Sequence, residues 1–174
     1  MIGVASAAAL LLSIGLLWAR RIDTATQLCA LQALSAAVSL GQVAPTVAIL
    51  AFALNGVALP LAIARLHGAT MLQARGAALL FWTVALALMA LTGMAFAGVG
   101  TDGLVAAGAS VALLGLLLIA FRAHPLAPVL GFLSSQNGLI MLAGAQSELA
   151  LPTALAVALP LVPALVLAES WQRQ

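Results

Sequence analysis

Long apolar runs bounded by charge, Gly or Pro dominate the chain and occupy residues 2–18, 25–41, 45–64, 76–97, 104–121, 127–145 and 149–168. Each is close to the roughly 20 apolar residues that carry an α-helix across a bilayer. The pattern therefore predicts an all-α integral membrane protein, a bundle of about seven transmembrane helices. Intervening loops are a few residues long, apart from the one between Arg65 and Arg75. Within it, Leu66 to Gln73 reads either as a solvated loop or as a short interfacial helix with His67 and Arg75 at the headgroups. No linker, charge block or biased tail divides the chain, so residues 1–174 are expected to form a single transmembrane domain. The first run lacks a basic leader and is followed at once by Arg20 and Arg21, which favours a retained helix over a cleaved signal.

Composition agrees with that pattern. Of 174 residues, 65% are hydrophobic and 6% charged, and so few charges leave the surface of a soluble domain uncovered. With seven spans, every arginine (Arg20, Arg21, Arg65, Arg75, Arg122 and Arg173) falls on one side. The opposite loops, around Gln42, Asp102 and Gln146, carry none. The positive-inside rule then predicts an N-terminus outside and a C-terminus in the cytoplasm. Six arginines against four acids make the chain basic, yet too sparsely for nucleic-acid binding. The single cysteine, Cys29, excludes an internal disulfide, a four-thiolate zinc site and an iron–sulfur cluster.

Chemistry inside a membrane normally needs ionisable groups within the spans. Asp23, Asp102, Glu148 and Glu169 all fall at span ends or in loops, and so do His67 and His124, which argues against paired axial ligands for a buried haem. No catalytic residue, cofactor or metal site is expected. What remains mid-span is neutral. Gln32, Ser35, Ser39 and Gln42 fall within roughly 80° of arc at about 100° per residue, forming a stripe on the second helix. Asn55 lies mid-span in the third helix beside Gly56, and Ser134, Ser135, Gln136 and Asn137 follow one another in the sixth. Four adjacent polar positions cover most of a helix circumference, so this stretch is expected inside a bundle, its amides and hydroxyls holding helices together.

Gly131, Gly138 and Ala145 recur every seven residues, as do Gly108 and Gly115, giving smooth seams for close packing. Pro152, Pro160 and Pro163 mark the seventh helix. The last two free the carbonyls of Ala156 and Leu159 and should kink it. Gln136 or Asn137 is placed to donate to those carbonyls if helices six and seven pair.

The stretch from Gly115 to Leu139 reads GLLLIAFRAHPLAPVLGFLSSQNGL. An apolar helix leads to a basic turn at Arg122, then to Val129-Leu130-Gly131-Phe132-Leu133, two serines, and Gln136 ahead of Asn137-Gly138. It resembles component E of the hydrogenase-4 and formate hydrogenlyase complexes, and Arg21 with Leu28, Leu31 and Gln32 is similar to that family's second helix. The resemblance implies that residues 104–168 form a three-helix unit like that of the complex I K subunit. It also implies a place in a bacterial cytoplasmic membrane beside larger antiporter-like and other membrane-arm subunits. Two family carboxylates are absent: Gln136 stands where the family has a glutamate, and residues 158–164 read ALPLVPA where its last helix commonly has an acid.

Two functions follow as expectations. The first is a non-catalytic subunit of a complex I-like or hydrogenase-like ion-translocating assembly, with Gln32, Asn55, Ser135, Gln136, Asn137, Pro160 and Pro163 as its buried polar and packing residues. The alternative is a small self-contained permease for a neutral substrate, handled by Gln32, Asn55, Gln136 and Asn137, although no internal repeat is evident. An intramembrane enzyme would need a nucleophile, metal or acid–base cluster that the sequence does not offer.

Overall fold

The computed structural model describes residues 2–41, 45–67, 83–87, 103–122 and 126–144, together with residues 89, 90, 93 and 124. Nearly all of these are helical, the exceptions being residues 19–21, 122, 124 and 126 between helices, and no strand occurs among them. Helix α1 is Ile2–Trp18 and α2 is Ile22–Gly41. A third helix comprises α3 (Pro45–Ala51), a π-helical stretch (Phe52–Ala58) and α4 (Leu59–His67). Helices α5 (Gly103–Phe121) and α6 (Ala127–Gly144) follow.

Two stretches, Pro45–Arg65 and Gly103–Phe121, are long and apolar enough to cross a membrane, and Val4–Trp18 and Ala127–Ala143 are apolar but shorter. The apolar runs at 149–168 and most of 76–97 lie outside the described residues. So do Gln42, Ala145, Pro152, Pro160 and Pro163, and most of the segment from Leu66 to Gln73, although α4 continues through His67.

Helix ends depart from the apolar runs for one reason. Hydropathy stops at a charge, whereas a helix does not. Helix α2 begins at Ile22 rather than at residue 25, because Asp23 suits the positive end of the helix dipole and pairs with Arg21 at 3.1 Å. The Thr26 hydroxyl donates to the Asp23 carbonyl oxygen at 2.8 Å. At the other end of the next helix, Arg65 and His67 extend the chain beyond Ala64.

Helices α1 and α2 form one antiparallel hairpin and α5 and α6 another. The hairpins lie side by side, α1 against α5 and α2 against α6, while the third helix flanks α2. One apolar cluster joins Leu16, Leu17, Ile22, Ile63, Leu117, Leu118 and Leu126, the residues nearest Arg20, Arg21, Arg65 and Arg122. These four arginines therefore lie at one end of the bundle. Toward the opposite end, Ala9, Ala36, Leu104, Ala107, Val111 and Met141 pack together, with Leu40, Val47, Ala48 and Ile140 in a neighbouring cluster. Leu11, Ile49, Leu61, Leu86 and Leu116 are exposed. The helices are thus apolar on both inner and outer faces, as expected of segments surrounded by lipid.

The contact between α5 and α6 is the most extensive, and glycine causes it. A methyl group on Gly108 would lie 2.8 Å from the Gly138 carbonyl oxygen, and one on Gly131 would lie 2.6 Å from that of Gly115. No real Cβ tolerates such distances, so backbone rests on backbone at both heptad-spaced pairs.

The π-helical stretch has an equally local origin. Pro60 supplies no N–H to the carbonyl of Gly56, and its ring crowds that turn. Asn55 and Gly56 are also weak helix formers. The chain widens by one residue, and the Leu59 N–H reaches the Leu54 carbonyl. Residues on either side, Ala51 (φ −59°, ψ −44°) and Leu59 (φ −69°, ψ −45°), remain helical, so the helix continues through the wide turn.

Candidate functional site

Helix α6 turns its four polar residues in different directions, and all four are buried. At about 100° per residue, Ser134 and Asn137 share a face, Ser135 points away from them, and Gln136 shares a flank with Leu133 and Ile140. Ser135 enters the glycine seam, where its hydroxyl donates to the Ala112 carbonyl of α5 at 2.9 Å. Ser134 and Asn137 face α2 and meet Gln32.

Gln32 is the hub. Its Nε2 donates to Ser13 Oγ of α1 at 2.6 Å and to Ser134 Oγ at 3.1 Å, while its Oε1 accepts from Asn137 Nδ2 at 3.5 Å. Ser13 in turn donates to the Ala9 carbonyl at 2.9 Å. Asn55, on the π-helical stretch, donates through Nδ2 to Asn137 Oδ1 at 3.5 Å. One buried chain of amides and hydroxyls thus links α1, α2, the third helix and α6. It is tight at the Ser13 end. It loosens toward Asn55, where both contacts sit at the outer limit of hydrogen-bond length.

Among the described residues three buried polar side-chain atoms lack a partner. Asn55 Oδ1 and both polar atoms of Gln136 are buried without a hydrogen-bond partner. Gln136 is 1% exposed, and its amide has no hydrogen-bond partner among the described residues. Among the described residues Gln136 bonds no neighbouring helix, because it shares a flank of α6 with Leu133 and Ile140 and lies off the Ser134–Asn137 face that meets Gln32. Whether it meets the carbonyls of Ala156 and Leu159 falls outside the described residues.

The stripe on α2 also divides. Gln32 reaches other helices, but Ser35 donates to Leu31 O at 3.1 Å and Ser39 to Ser35 O at 3.0 Å, each on its own helix. Short hydroxyls satisfy themselves four residues back and need no neighbour. Two contributors escaped the sequence reading. Ser13 follows Ser6 by seven residues on the first helix, a polar recurrence in an otherwise apolar run that was the available signal. The π-helical stretch has one too, in Pro60 a few residues beyond Asn55-Gly56.

Among the described residues, charge is confined to one end of the bundle. Arg122, 8% exposed, donates from Nη2 to the Leu17 carbonyl at the end of α1. This contact suits a cation at a helix C-terminus. Burial, and then the nearby charge of Arg20, lower its pKa from the ordinary guanidinium value. His124 uses Nδ1 to accept the Leu126 N–H at 3.1 Å, closing the turn into α6.

Among the described residues no three His, Cys, Asp or Glu side chains converge on a metal-sized site. The buried cluster consists of groups that neither take up nor release protons near neutral pH. It can position helices and can offer hydrogen bonds to a neutral guest. No family model, curated protein or solved structure matches this chain.

Proposed function

We propose that the chain is a non-catalytic, multi-pass subunit of a complex I-like or membrane-bound hydrogenase-like assembly in a bacterial cytoplasmic membrane. It has seven spans, its N-terminus outside and its C-terminus in the cytoplasm, and it packs beside antiporter-like subunits. The observation that carries this reading is the neutral character of the buried cluster. Ser13, Gln32, Asn55, Ser134 and Asn137 join four helices through amides and hydroxyls, and Gln136 takes the position of the carboxylate in the family that the sequence resembles. The clustering of Arg20, Arg21, Arg65 and Arg122 at one bundle end supports the orientation.

Purification in mild detergent is expected to bring down larger antiporter-like proteins, and recovery as a free monomer alone would count against the assembly. Reporter fusions after Trp171 and within the Asp102 loop are expected on opposite sides of the membrane. A complex carrying Gln136→Leu should keep its ion-coupling stoichiometry. Normal assembly with abolished ion transfer would instead put Gln136 on a conducting path.

The unpaired atoms of Asn55 and Gln136 favour one second reading, a permease in which they bind a neutral hydrogen-bonding solute. Uptake by the isolated, reconstituted protein would support it over the first.

A further inference from the structure

The unpartnered atoms Asn55 Oδ1, Gln136 Nε2 and Gln136 Oε1 lie at one level of the bundle. Helix α6 and the third helix run in opposite directions, and both contribute to the same two apolar clusters. Leu133 shares one cluster with Leu59 and Ile63, and Ile140 shares the other with Ala48 and Ala51. Gln136 stands between Leu133 and Ile140 on its flank of α6, and Asn55 stands between Ala51 and Leu59 on the third helix. The contact from Asn55 Nδ2 to Asn137 Oδ1 at 3.5 Å fixes this level directly.

Acceptors outnumber donors there. The Leu59 N–H bonds the Leu54 carbonyl across the wide turn. The next donor in that pattern would be Pro60, which has no N–H, so the wide turn supplies none to the Asn55 carbonyl. The groups also stand apart, since the Asn55–Asn137 contact exceeds a usual amide bond by about half an ångström.

We propose that Asn55 and Gln136 hold one buried water between the third helix and α6. It accepts from Gln136 Nε2 and donates to Asn55 Oδ1, and its second hydrogen meets the surplus of acceptors at the wide turn. Three bonds are the usual complement of a buried water. Asn55 and Gln136 are each 1% exposed, so a guest at this level is enclosed, which favours water over a larger solute. An ion fits worse, because neutral amides carry no charge to offset its dehydration. One water meets only part of the capacity of Gln136 for hydrogen bonds. The amide therefore remains short of partners, and a leucine in its place releases the water to the bulk. The inference is independent of the assembly in which the chain serves.

The test is water–amide cross-relaxation NMR on the full-length, 15N-labelled protein in perdeuterated lipid bilayers. A cross-peak from water to Gln136 Nε2 is expected, with none to the backbone N–H groups of Leu133 and Ile140 on either side. Asn55→Leu should weaken that cross-peak about fivefold, the scale of one neutral hydrogen bond. Ser35→Ala should leave it unchanged, since the Ser35 hydroxyl is satisfied on its own helix. Absence of the cross-peak from the unsubstituted protein overturns the proposal, and so does an unchanged cross-peak in Asn55→Leu or an equal loss in Ser35→Ala. Equal cross-peaks at Leu133 and Ile140 also overturn it, since they mark general entry of water rather than a site.

Discussion

Helix α6 holds its neighbours by opposite means on two faces. Toward α5 it presents Gly131 and Gly138, and the helices touch through their backbones. Toward α2 and the third helix it presents Ser134 and Asn137, which join Gln32 and Asn55 by hydrogen bonds of 3.1 to 3.5 Å. Close approach on the glycine face gathers many small dispersion contacts and leaves no spare room. The amide face relies on a few directional bonds whose quality varies along the cluster, from 2.6 Å at Ser13 to 3.5 Å at Asn55. The glycine face should therefore fail sharply when anything is added. The amide face should fail gradually, in proportion to the bonds each residue makes.

Substitution at the two faces sharpens this contrast. Gly138→Leu should have the largest effect, because even a methyl group there would meet the Gly108 carbonyl oxygen at 2.5 Å. A loss of about 3 kcal/mol, the upper part of the usual overpacking range, is expected in reversible unfolding of the bilayer-reconstituted protein. If Gly138→Leu unfolds no more readily than the amide-face variants, the contrast is wrong.

Gln32→Leu should come next. It removes bonds to Ser13 and Ser134 and strips Asn137 Nδ2 of its acceptor, so about 2 kcal/mol should be lost in the same assay. Ser13→Ala should cost less, since only the Gln32 contact crosses between helices.

Asn55→Leu is expected to cost below about 1 kcal/mol, because it breaks one 3.5 Å contact while removing an oxygen that has no partner. A cost equal to that of Gln32→Leu would mean that the loose end of the cluster is as tightly bonded as the other.

Gln136→Leu should have the smallest effect on the isolated subunit and the opposite sign. Removing a buried amide with no partner relieves a desolvation penalty of about 1–3 kcal/mol, partly offset by imperfect packing of the new side chain. The midpoint of unfolding should stay level or rise. A clear fall would show that the amide has a partner in the membrane-embedded protein.

The pair Gln32 and Gln136 shows how far residue type alone can be read. Both are buried amides in apolar helices, and both invite the expectation of an interhelical bond. Helix existence, the heptad glycine seam and the burial of Ser134 to Asn137 were legible in the sequence because they depend on spacing within one helix. Which amide finds a partner was not, since it depends on the rotation of α2 against α6 and on the serine that α1 happens to supply. Ser35 and Ser39 make the same point, because a hydroxyl can satisfy itself on its own helix and so predicts no neighbour.

By itself the sequence determined the helical class, because apolar runs of this length leave the backbone no other way to satisfy its polar groups away from water. It also determined the α5–α6 contact, because glycine's missing side chain is a property of the residue and its seven-residue spacing a property of the helix. Only the tertiary structure decided that Arg122 reaches across to the end of α1, that Gln32 gathers Ser13, Ser134 and Asn137, and that Gln136 is left without a partner. Each of these is a relation between helices distant in sequence. A rotation of one helix by a single residue, about 100°, would reassign them all.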